Sequence, residues 1–187
     1  MNVYNMTTEN VTVREFIKKY LIDKIEDVKN SHPYFAFLLM AVGIEFLGKC
    51  QNEHDWDDHD KIGPRTNFEK GLKIGALKKY ANITDLYDNL RNGLAHSFLI
   101  KKGIKVSDGD SVGAINSHIL YDDFKNACYE VLNAISGVDG ILRTSKGIEI
   151  KKDLDATFFT TTNGINQQSE PFSITANTQN IQTIVVK

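Results

Sequence analysis

Arg91 and Asn92 are adjacent, and His96 follows with four residues between it and Arg91. Each residue type has a distinct chemical use. Histidine titrates near neutral pH, so His96 can take or give a proton under ordinary conditions. Arg91 is a permanent, forked cation that suits the oxygens of a phosphate on which negative charge is building. Asn92 can hydrogen-bond to such an oxygen, or orient His96, without adding charge. The three together suit acid–base chemistry at a phosphate on which negative charge builds. The competing reading is structural, because an arginine and a histidine near a helix C-terminus also favour the helix dipole and cap its last carbonyls.

Spacing limits what one copy can do. On an ideal helix Asn92 and His96 lie about 40° apart, whereas Arg91 and His96 lie roughly 140° apart. Three resolutions stay open: Gly93 distorts the helix, Arg91 reaches around it, or a second copy supplies the missing partner across a twofold axis.

Other chemistry-bearing residues are weaker candidates. The loop His54-Asp55-Trp56-Asp57-Asp58-His59-Asp60 holds metal-ligand residue types. It matches no established spacing and reads better as a solvated acidic loop, so no metal and no cofactor are expected. Glu45 interrupts an apolar run and must reach the surface or pair with a cation. A satisfied helix-face acid is favoured there over a catalytic one. His32, beside Pro33, reads as a helix-start residue. His118 precedes the final helix, and sequence does not place it against the motif. Tyr87, one turn before Arg91, packs or stacks on it. No phosphate-binding glycine loop, dinucleotide fingerprint, serine elbow or zinc motif occurs.

The elements that must position these residues read as helices. Val11 to Asn30 is amphipathic, with Val13, Phe16, Ile17, Tyr20, Leu21 and Val28 at helical spacing. Pro33 opens a second helix to about Cys50, apolar on nearly all faces and therefore expected to be central. Thr66-Asn67-Phe68-Glu69 is a capping-box pattern that starts a short helix to Tyr80, weakened by Gly71 and Gly75. Thr84 or Asn82 caps the motif helix, which carries the stripe Leu86, Leu90, Leu94 and Phe98. Lys101 to Val106 and Ala114 to Leu120 flank a turn-rich stretch, read as a short hairpin or irregular excursion. Asp122 and Asp123 open the last helix, to about Ser136, with Phe124, Cys128, Val131, Leu132 and Ile135 on its apolar face.

After Gly137 the composition shifts to Thr, Asn and Gln. Short strand-like pieces occur at Ile148 to Ile150, Ala156 to Thr161, Phe172 to Ala176 and Ile181 to Val186. The expected class is mainly α: a four- to five-helix bundle over 11–136, and a C-terminal β-rich or loosely ordered tail over 137–187.

The chain of 187 residues is 41% hydrophobic and 25% charged, which excludes disorder throughout. Its net charge of -2 conceals an asymmetry, since Lys61 to Lys105 carries +7 and Gln51 to Asp60 carries -5. The basic stretch around the motif can attract a polyanion, although a solvated lysine-rich surface looks the same by charge alone. Cys50 and Cys128 are far apart, with no CxxC, which fits a reducing compartment. No secretory signal is visible, and the Tyr34 to Leu47 run falls short of the roughly 18 apolar residues a membrane span needs. A cytoplasmic location is expected.

Arg91-Asn92 followed by three residues and His96 resembles the signature of the HEPN superfamily. There, Arg, usually followed by Asn, His or Asp, precedes His by four to six intervening residues. The resemblance extends at the level of pattern over about Val11 to Ser136 and does not cover the tail. It implies a helical, usually homodimeric domain whose active members cleave RNA without metal. In them the motif residues of two protomers meet in one cleft. The RNA 2′-hydroxyl attacks the neighbouring phosphate, leaving a cyclic phosphate and a free 5′-hydroxyl. Carried onto this chain, Arg91, Asn92 and His96 are the expected catalytic residues and RNA the expected partner. The resemblance also implies a toxin–antitoxin or anti-phage setting, with an antitoxin or nucleotidyltransferase partner. A non-catalytic RNA- or protein-binding dimerisation module on the same fold stands as the alternative. A metal-dependent hydrolase built on the acidic loop is a weaker third.

Overall fold

The structure is a computed structural model that describes residues 8–56, 61–101 and 103–162. Strand β1 (Thr8–Thr12) leads directly into helix α1. Thr12 is the reason the helix begins where it does. Its hydroxyl accepts from the Glu15 N–H at 3.1 Å, and its own N–H donates to the Glu15 carboxylate at 2.9 Å. This reciprocal cap sets the start at Val13, two residues later than periodicity alone predicts. α1 is continuous through an α-helical turn Val13–Phe16, a wider π-helical stretch Ile17–Lys24 and an α-helical stretch Ile25–Ser31.

Pro33 sits in the first turn of α2 (Pro33–Lys49), with His32 before it. Ala36, Phe37, Met40, Ala41, Ile44 and Leu47 of α2 are buried against the neighbouring helices. The helix is not buried all round. Tyr34, Phe35, Leu39 and Val42 form an exposed stripe along its first half.

Helix α3 (Pro64–Gly71) packs on α2. It does not start at the expected Thr66. Gly63 takes the cap position in extended backbone, and Pro64 pre-sets the first turn, so Thr66 lies inside the helix with no capping role. Nor does it run to Tyr80. It stops at Gly71, and a separate 3-10 helix covers Gly75–Tyr80, with Gly75 at φ +49°. Gly71 and Gly48 bring the two helices close. A Cβ at Gly71 would overlap the Ile44 carbonyl oxygen, and one at Gly48 would overlap that of Asn67.

The motif helix α4 joins a π-helical stretch Tyr87–Asn92 to an α-helical stretch Gly93–Ser97. Neither Thr84 nor Asn82 caps it; Asp85, in left-handed backbone at φ 54°, turns the chain into it instead. Leu86, Leu90 and Leu94 are buried as the stripe requires. Phe98 leaves the stripe, because it terminates the helix in left-handed backbone at φ 53° and is 62% exposed.

Of the hairpin and the irregular excursion expected here, the structure has the second. β2 (Val106–Ser107) and β3 (Ile115–Asn116) pair in parallel, so the turn-rich stretch makes a crossing rather than a reversal. α5 (Ser117–Leu132) starts five residues before Asp122, because Asn116 caps it by accepting from His118 N–H at 2.9 Å and Ile119 N–H at 3.0 Å. Phe124, Cys128, Val131 and Leu132 are buried on it. Ile135 is exposed instead, since the helix has ended and β4 (Ile135–Ser136) has begun.

β4 pairs antiparallel with β5 (Leu142–Arg143), which pairs antiparallel with β6 (Glu149–Ile150). The chain then returns to α1. Val13 and Arg14 N–H groups, unpaired within their own first turn, donate to the carbonyls of Ala156 and Leu154 at 3.2 and 2.7 Å. Trp56 stacks on Phe46 at 4.7 Å and meets Phe158 edge-on at 4.6 Å, which fastens the same return. β7 (Thr157–Thr162) pairs with β1.

Val11–Phe159 form one compact unit. More than half of the described residues are helical, so the chain is mainly α. The expected strands at Phe172 to Ala176 and Ile181 to Val186 lie outside the described residues. No helix among the described residues is long and apolar enough to cross a membrane.

Candidate functional site

α4 packs on α2, and near the C-terminal end of α2 the buried carboxylate finds its cation. Arg91 Nε donates to Glu45 Oε2 at 2.8 Å, with the two side chains only 17% and 10% exposed. A charge that deep is tolerable only when paired, which explains both the acid in an apolar helix and the inward turn of Arg91.

The pair is one end of a chain of polar contacts. Arg91 Nη1 donates to Asn92 Oδ1 at 3.1 Å. Asn92 Nδ2 donates to Asp88 Oδ1 at 3.3 Å, one helical turn back. The other oxygen of Asp88 accepts from Arg65 on α3. That bond is the first cause holding the Arg65 guanidinium above its ordinary pKa. Tyr87 lies against both arginines, with its ring centre 5.6 Å from the Arg91 guanidinium and 5.1 Å from that of Arg65. Phe68 meets Tyr87 edge-on at 5.6 Å. Among the described residues, Arg91 Nη2 is left without a hydrogen bond.

His96 stands apart from this network. It is exposed in the last turn of α4 and makes no hydrogen bond or ion pair among the described residues. Arg91 and Asn92 are therefore brought together with Glu45 and Asp88, while His96 is exposed further along the same helix. The motif spans two helix geometries, since Arg91 and Asn92 lie in the π-helical stretch and His96 in the α-helical stretch that follows. Gly93 has a further reason to be glycine. The chain folds back after the helix, Leu99 N–H donating to the Gly93 carbonyl at 3.2 Å, and a Cβ at 93 would overlap the Leu99 carbonyl oxygen.

The surface beside His96 is apolar. Tyr34 Oη donates to the Phe98 carbonyl at 2.7 Å and ties the start of α2 to the end of α4. Phe98 and Leu99, which follow His96 closely in sequence, are exposed, as are Phe35, Leu39 and Val42 of α2.

The remaining candidates fall elsewhere. His118 is exposed in the first turn of α5, and His32 is exposed before α2, its ring 6.3 Å from Phe35. The His54 carbonyl accepts from Lys152, and Trp56 is committed to the aromatic cluster. Asp57 to Asp60 lie outside the described residues. No cluster of possible metal ligands occurs among the described ones. Cys50 and Cys128 are buried free thiols, both pushed up in pKa by burial, Cys50 to about 12.

Sequence reasoning missed Asp88 and Arg65. Asp88 carried a legible signal, standing four residues before Asn92 on one helix face. Arg65 carried none, because only the packing of α3 on the motif helix brings it there. Comparison with family models, with curated proteins and with solved structures finds no match for the chain.

Proposed function

We propose that the chain is a metal-independent endoribonuclease of the HEPN type that works as a homodimer. The observation that carries this is the split arrangement of Arg91-Asn92-x3-His96. Arg91 is held by Glu45 and Asn92 with Nη2 left unbonded among the described residues, and His96, a proton-transfer group, is exposed further along the same helix.

The chemistry follows from these groups. The RNA 2′-hydroxyl gives its proton to an imidazole, and its oxygen bonds to the neighbouring phosphorus. The bond from phosphorus to the 5′-oxygen breaks, and that oxygen takes a proton from an imidazolium. One His96 serves one of these tasks; a second copy supplies the other. Arg91, pinned by Glu45, offers Nη2 to the phosphate oxygens on which charge builds, without reorganising. A twofold contact through Phe35, Leu39, Val42, Phe98 and Leu99 would cover the exposed apolar stripe and bring two motifs together.

Purified protein is expected to cut single-stranded RNA in EDTA, leaving cyclic-phosphate ends, and His96→Ala is expected to abolish cutting. His96 is exposed, so this variant should change stability by less than about 0.5 kcal/mol, which separates lost chemistry from lost folding. Phe35→Asp with Leu39→Asp should convert a dimer to a monomer in light scattering and remove cutting. Equal activity of His96→Ala and the parent sinks the reading.

One feature favours a second reading. Arg91 spends Nε and Nη1 inside the fold, and among the described residues no side chain hydrogen-bonds to His96. A non-catalytic RNA- or protein-binding dimerisation module would show the same groups and would bind RNA without producing cyclic-phosphate ends. The defence setting, with an antitoxin or nucleotidyltransferase partner, is supported by the motif resemblance alone.

A further inference from the structure

A second feature adjoins the motif. A cavity of about 390 Å³ lies between α3 and the segment leading into α4, lined among others by Arg65, Phe68, Glu69, Asn82, Asp85 and Tyr87. That volume is within the range of small-molecule sites. We propose that this cavity takes a guanine base, positioned next to the phosphate held by Arg91; the assignment to RNA rests on the ribonuclease reading above.

Three observations support it. First, the wall is a stacking surface of fixed geometry. The Arg65 guanidinium sits over the Tyr87 ring, is held by Asp88, and lines the cavity. A planar guanidinium is a good platform for an unstacked base. Second, the polar lining includes two carboxylates, Glu69 and Asp85, both exposed and, among the described residues, neither in an ion pair, although the Glu69 charge acts on Arg65. Carboxylates only accept hydrogen bonds, so they select an edge of neighbouring N–H donors and repel a phosphate. Guanine presents N1–H and N2–H side by side. Adenine and cytosine place a ring nitrogen lone pair next to their amine, and uracil has one N–H only. Third, Asp88 joins the cavity to the motif, one oxygen holding Arg65 and the other Asn92. Tyr87, a wall of the cavity, meets both the Arg65 and the Arg91 guanidiniums, so the cavity and the motif cation share one ring.

The test uses the full-length protein and the four nucleoside 5′-monophosphates in calorimetric titration. GMP is expected to bind about tenfold or more tightly than AMP, CMP or UMP. Glu69→Gln and Asp85→Asn are each expected to remove most of that preference; both residues are exposed and both changes are nearly isosteric. RNA cut in EDTA should be cleaved beside guanosine, and the preference should fade in the same variants. Equal binding of the four nucleotides, or a preference unchanged in the double variant, overturns the proposal. Selective GMP binding without any cutting supports the cavity and overturns the nuclease reading. Cutting without GMP preference does the reverse.

Discussion

Removing the Glu45 carboxylate is the sharpest test of how the site is held. Breaking a buried ion pair by deleting one partner leaves an uncompensated charge and costs about 3–5 kcal/mol. Arg91 keeps its Asn92 bond at 3.1 Å and its place against Tyr87, and its side chain is 17% exposed. The low end therefore applies, about 3 kcal/mol for Glu45→Ala. At about 2–4 °C per kcal/mol for a chain of this size, Tm should fall by about 6–12 °C. Glu45→Gln keeps an acceptor for Nε but loses the charge, and should cost about 1–2 kcal/mol. Urea and thermal unfolding followed by circular dichroism measure these values. A double-mutant cycle of Glu45→Ala with Arg91→Ala should give a coupling of about 2 kcal/mol, because the double variant no longer buries a lone charge. A Tm for Glu45→Ala within about 2 °C of the parent, or a coupling below about 0.5 kcal/mol, would refute the view that Glu45 fixes Arg91.

Gly71→Ala should destabilise by about 1–2 kcal/mol, because overlap with the Ile44 backbone outweighs alanine's better helix propensity; a gain in stability would show that α2 and α3 can separate at no cost. Thr12→Ala removes one half of the α1 cap and should cost about 1 kcal/mol in urea unfolding. Burial raises the Cys50 pKa from 9.0 to about 12, so the neutral thiol is favoured in the folded chain. Stability from that preference is full below pH 9 and is lost as pH rises towards 12, where only the unfolded chain ionises readily. Urea midpoints should fall above pH 9, and Cys50→Ala should flatten that fall; an identical slope in the variant would remove Cys50 as its cause. Tyr80, raised by burial first and by its 2.6 Å bond to Asp123 second, adds to the same alkaline loss in the parent.

Local signals in the chain were sufficient for several elements. Pro33 and the apolar run behind it dictated α2 almost to the residue, since a proline start and burial on successive turns need no tertiary information. The Leu86, Leu90 and Leu94 stripe placed the motif on a helix for the same reason. Arg91, Asn92 and His96 stood out as candidates because residue type and spacing suggest a chemistry. The errors were in caps and ends. Thr12, Gly63, Asp85 and Asn116 each decided where a helix starts, and each is a single residue whose role depends on the backbone it happens to adopt.

Tertiary structure decided what the motif faces. Glu45 was legible as an acid that had to be answered, but its partner lies 46 residues away and only the crossing of α2 and α4 selects Arg91. Arg65 joins the site through α3, which in turn needs Gly48 and Gly71 to approach α2. The exposed face of α2 was hidden in a run that looks apolar on every side. Periodicity reports which residues are greasy and says nothing about how many neighbours arrive to cover them. Residue types thus determine which chemistry is available, and the packing of helices distant in sequence determines which of those groups meet.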